Sequence, residues 1–68
     1  MNIDTVIANL ENTIHGKEIL LKSIQSRSAR NADSALVIDV SSHYLALNLH
    51  ELNNVLADCR KVKESLGQ

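Results

Sequence analysis

Proline, tryptophan and phenylalanine are absent from this 68-residue chain, and tyrosine and cysteine occur once each, at Tyr44 and Cys59. An all-β domain needs turn punctuation and aromatic side chains to pack its sheets, and two glycines with one aromatic residue do not supply them. A single cysteine excludes an internal disulfide framework and a cysteine-based zinc cluster. The formal net charge is −1, so no general excess of basic residues marks a nucleic-acid binder. The length excludes a two-domain chain, a dinucleotide-binding unit or a TIM barrel. The hydrophobic fraction of 44% is near the globular average and argues against wholesale disorder.

No segment reads as a membrane or targeting signal. The apolar run Ala35–Ile38 is far short of a bilayer span. Met1-Asn2-Ile3-Asp4-Thr5 lacks the basic region and apolar run of a secretory leader, and no lipidation box is present. With the free thiol of Cys59, the expected location is cytoplasmic.

What the chain does contain is heptad spacing. Ile3, Ile7, Leu10, Ile14, Lys17, Leu21, Ile24 and Ser28 follow one another in alternating steps of four and three. That spacing keeps one stripe on one face of a helix, here about residues 3–28. Val6 and Leu20 widen the stripe, as suits a helix bundle, and Asn2 is placed to cap the N-terminus. Lys17 occupies a stripe position from which its ammonium can reach solvent. Gly16 is a weak point within the helix.

Serines and asparagines between Lys22 and Ser34 compete with the backbone for hydrogen bonds, and the connection is expected near 28–33. A second helix, capped by Asp33 or Ser34, should cover about residues 34–66. Its main stripe is Ile38, Leu45, Leu52, Cys59 and Leu66, flanked by Leu49, Val55, Leu56 and Val62, and Gly67 should end it. The β-prone triplet Leu36-Val37-Ile38 would make a lone strand without a partner. Acidic residues lie early and basic residues late in both helices, in the sense that favours the helix dipole. The expected fold is therefore all-α, residues 1–68 forming one antiparallel helical hairpin.

One hairpin does not cover all the apolar residues of the second helix. Leu36, Val40, Tyr44 and Leu47 lie away from the main stripe, and burying them calls for a second copy of the chain. A homodimer closing a four-helix bundle, or a higher oligomer, is the expected assembly.

Catalytic and metal chemistry find little support. His43 and His50 stand about 10 Å apart along one helix. Asp39 with His43, and Glu11 with His15, have i,i+4 spacing, but no complete ligand set follows. Cys59 sits in a core slot without a nearby base, and no phosphate-binding loop or nucleophile triad exists. No cofactor, no metal and no enzymatic activity are expected. Asn48, His50, Glu51, Asn53 and Asn54 form a polar band amid leucines, from which one amide inside a bundle would fix register. Lys22, Arg27 and Arg30 cluster at the loop end, and Arg60, Lys61 and Lys63 at the other. They are candidate nucleic-acid contacts if a second copy brings the two clusters together.

The size and hairpin plan resemble Rop-type RNA-binding hairpin dimers. The run Tyr44-Leu45-Ala46-Leu47-Asn48-Leu49-His50-Glu51-Leu52, continuing into Val55-Leu56-Ala57-Asp58, is similar to short accessory proteins of lambda-like temperate phages. The phage resemblance implies a small, non-catalytic, host-modulating regulator acting by protein–protein contact. The Rop resemblance implies RNA binding through polar and basic side chains plus an aromatic on the first helix, which has no aromatic here.

Overall fold

The computed structural model describes residues 2–67, which form two helices and no strand: α1 (Ile3–Gln25) and α2 (Ala32–Leu66). The helices lie side by side, antiparallel, in a rod 56 × 16 × 15 Å across. The radius of gyration is 16.0 Å, against about 11 Å for a compact domain of this length.

Each helix begins on an asparagine. The Asn2 side chain accepts a hydrogen bond from the Thr5 amide at 2.8 Å, and Asn31 accepts from the Ser34 amide at 2.8 Å. The second cap is therefore Asn31, not Asp33 or Ser34. An asparagine caps as well as either, and this choice leaves Asp33 in the first turn, where its charge favours the helix dipole. The start of α2 moves two residues upstream of expectation. α1 ends at Gln25, three residues early. The Ser26 amide closes the last turn on the Lys22 carbonyl, its hydroxyl donates to the Ser23 carbonyl at 2.9 Å, and the chain leaves the helix there. α2 ends at Gly67 as expected, although with φ −78° the glycine uses none of its left-handed freedom.

The core lies between two facing heptad rows, with Ile7 and Ile14 of α1 and Leu49 and Leu56 of α2 buried. Around them pack Ile3, Leu10, Leu21, Leu52 and Cys59, all partly buried. The buried row of α2 is thus a flanking row of the expected stripe rather than its main one. Leu66, Val55 and Val62 are exposed. α2 has 35 residues and α1 has 23. α2 therefore outruns α1, and Leu66, beyond the Lys63–Asp4 contact, has no packing partner among the described residues. Val55 and Val62 point off the seam to one side. Gly16 is exposed, with nothing within 4 Å of where a Cβ would sit.

Candidate functional site

No cluster of reactive groups stands out, so the surfaces of the rod are the candidates. Among the described residues, no three His, Cys, Asp or Glu side chains converge as a metal site would require, and no helix is long and apolar enough to cross a membrane. His15, His43 and His50 are exposed; the His43 ring meets Tyr44 edge-on at 5.6 Å. Cys59 is a free, half-buried thiol in the seam. A shallow open depression at the loop end lies between Arg27 and Ser28 and the first turns of α2, reaching Val37 and Ile38.

Lys17 is half-buried on the seam, and the other six basic residues fall into two groups. Arg60 reaches Glu11 at 3.4 Å, and Lys63 reaches Asp4 at 2.7 Å. Lys22, Arg27, Arg30 and Lys61 are exposed and, among the described residues, make no ion pair. Within one hairpin the loop-end and terminal clusters stay at opposite ends of the rod.

The Arg60–Glu11 pair also identifies the sides of the hairpin. Glu11 belongs to the heptad row of Asp4 and Glu18, which flanks the buried Ile7–Ile14 row. Arg60 belongs to the row of Asp39, Ala46 and Asn53, which flanks the buried Leu49–Leu56 row. These two flanks are in contact and form one charged side of the rod.

The flanks on the opposite side are Val6, Thr13 and Leu20 on α1, and Ser41, Asn48, Val55 and Val62 on α2; neither carries a charge. Burial differs between the sides in the same sense. The seam row next to the charged flanks is closed over at Ile7, Ile14, Leu49 and Leu56. The seam row next to the uncharged flanks is only half-buried at Leu10, Lys17, Ile24, Leu45 and Leu52, so its one charge is that of Lys17. Sequence reading missed this face; its signal is the absence of charge from two particular heptad rows.

Leu36, Val40, Tyr44 and Leu47 are 44 to 66% exposed, on the outer arc of α2 that α1 does not reach. Of the polar band, Asn53 turns back to donate to the Leu49 carbonyl at 2.9 Å, and Asn54 is exposed. Asn48 is half-buried, and its amide oxygen is buried without a hydrogen-bond donor.

No protein-family model matches the chain, and no curated protein or solved structure is significantly similar to it.

Proposed function

We propose that this protein is a small non-catalytic regulator that self-associates through its helical hairpin and works by contact with another protein. The observation that carries this reading is the balance of apolar residues. Four large aliphatic side chains are buried in the single chain, whereas Ile19, Leu20, Leu36, Val37, Val40, Tyr44, Leu47, Val55, Val62 and Leu66 are exposed. Soluble monomers rarely keep so much apolar surface on a rod this thin. The resemblance of the Tyr44–Asp58 run to phage accessory proteins supports a host-modulating role, and the free Cys59 thiol suits action in the cytoplasm.

The alternative, an RNA-binding hairpin dimer, draws support from Lys22, Arg27 and Arg30 at the loop end. It is weakened at the other end, where Arg60 and Lys63 already lie against carboxylates. Sedimentation equilibrium at micromolar concentration tests the main reading. The expected mass is at least twice the 7.5 kDa of one chain; a monomer throughout the range refutes self-association.

A further inference from the structure

We propose that the second copy sits on the uncharged side of the hairpin, flank to flank, rather than on the outer arc of α2. This assignment rests on the self-association reading and says which surface carries it. On the charged side the seam row is already buried at Ile7, Ile14, Leu49 and Leu56, whereas the uncharged side leaves its seam row half-exposed. Leu20, Val55 and Val62 extend that open seam outward, each about half exposed. Both helices contribute, so the surface is a broad face rather than a single ridge. Two such faces turned toward each other by a two-fold axis complete a four-helix bundle in which the half-buried seam becomes the centre, apart from Lys17 of that row, whose flexible stem carries its ammonium out to solvent.

The area agrees with a missing layer. The chain exposes 5261 Å², whereas a compact monomer of this mass exposes about 4,250 Å². The difference, on the order of 1,000 Å², is close to the roughly 800 Å² that each partner contributes to a standard interface.

Charge selects the orientation. Packing the charged sides together would take Asp4, Glu11, Glu18, Asp39 and Arg60 out of water, a desolvation cost that the uncharged flanks do not carry. Asn48, in the middle of the uncharged α2 flank, brings an amide that lacks a donor in the single chain. In the dimer that amide becomes an interior polar group able to fix the register of the two hairpins. Leu36, Val40 and Leu47 then stay outside the bundle, with Tyr44 at its margin, and are the apolar surface left for contact with another protein.

Cys59 reports the face without any substitution, because it belongs to the half-buried seam row on the uncharged side. Its reaction with an aromatic disulfide reagent should slow by at least ~10-fold on going from dilute to concentrated protein, as association removes the open form. Leu20→Glu and Val55→Glu should each yield a monomer with fast, concentration-independent labelling, while Leu47→Glu remains dimeric. Circular dichroism of each variant keeps loss of association distinct from loss of helix.

A wild-type monomer overturns both this assignment and the self-association reading. A wild-type dimer that is broken by Leu47→Glu, survives Val55→Glu and labels at one rate at all concentrations overturns the face assignment alone.

Discussion

The guanidinium of Arg60 donates to the carboxylate of Glu11 at 3.4 Å, joining residues 49 positions apart across the hairpin. It is a lateral contact on one side of the rod and not a core interaction, since the two side chains are 57% and 52% exposed. An exposed pair of this length gains little, because water screens it and two long side chains must be held still. A double-mutant cycle with Arg60→Ala and Glu11→Ala should give a coupling of about 0.5 kcal/mol or less, shrinking further in molar salt. A coupling several times larger would mean that the pair is desolvated in the assembled protein, and would place the second copy on the charged side.

The caps should contribute more than the ion pairs. Asn31→Ala leaves the Ser34 amide without its acceptor and should cost about 1 kcal/mol in urea unfolding. Asn31→Asp keeps an acceptor in place and should cost little. Hydrogen exchange at the Ser34 amide should speed up in the alanine variant and not in the aspartate variant. Asn2→Ala should behave in the same way at the Thr5 amide.

Ser42 occupies the same heptad row as Leu49 and Leu56, and its hydroxyl oxygen is buried with no hydrogen-bond partner. An unmet polar group in a seam is a standing cost of about 1–3 kcal/mol. Ser42→Ala removes it and also improves helix propensity. Ser23→Ala, at an exposed position of α1 away from the seam and from both flanks, gives the propensity gain alone. The first variant should exceed the second by about 1 kcal/mol, or several degrees in Tm. Equal gains would show that the Ser42 hydroxyl is satisfied in solution.

Arg27 and Arg30 lie in the connection, exposed and outside both helices. Replacing both with alanine should change stability by less than about 1 kcal/mol. The same double variant separates the two functional readings. If the hairpin binds RNA through its loop end, the change weakens binding and lowers its salt dependence. Under the protein-contact reading, no such salt-dependent RNA binding exists to be weakened.

The heptad spacing from Ile3 to Ile24 was enough to define α1 and its buried face, because a step pattern of four and three has one helical interpretation. The second helix was legible in extent but not in rotation. Aliphatic residues occupy so many of its positions that the seven-residue spacing points to Ile38, Leu45, Leu52, Cys59 and Leu66 as the main stripe, whereas packing against α1 buries the flanking Leu49 and Leu56 most deeply. The ends were legible to within two or three residues. Asn31, Asp33 and Ser34 are all competent caps, and a single sequence does not rank them. The uncharged face escaped notice because each of its residues, from Val6 to Val62, is unremarkable alone. It becomes visible only when one ion pair has shown which flanks of the two helices lie together.

Asn48 tests that face most directly. It stands in the uncharged flank of α2 between Ser41 and Val55, half-buried, with an amide oxygen that no group among the described residues satisfies. In a monomer, Asn48→Leu would remove the unmet amide oxygen and raise Tm by the same amount at every protein concentration. At the centre of a four-helix bundle the same change removes a polar group from an apolar layer and should stabilise the assembly by about 1 kcal/mol or more, while loosening its register. The signature is a higher, concentration-dependent Tm together with amide resonances that broaden or double, because more than one alignment of the hairpins becomes populated. A Tm gain equal at every concentration, with no change in mass or spectrum, would put Asn48 outside any interface, and the second copy would have to be sought on another side of the rod.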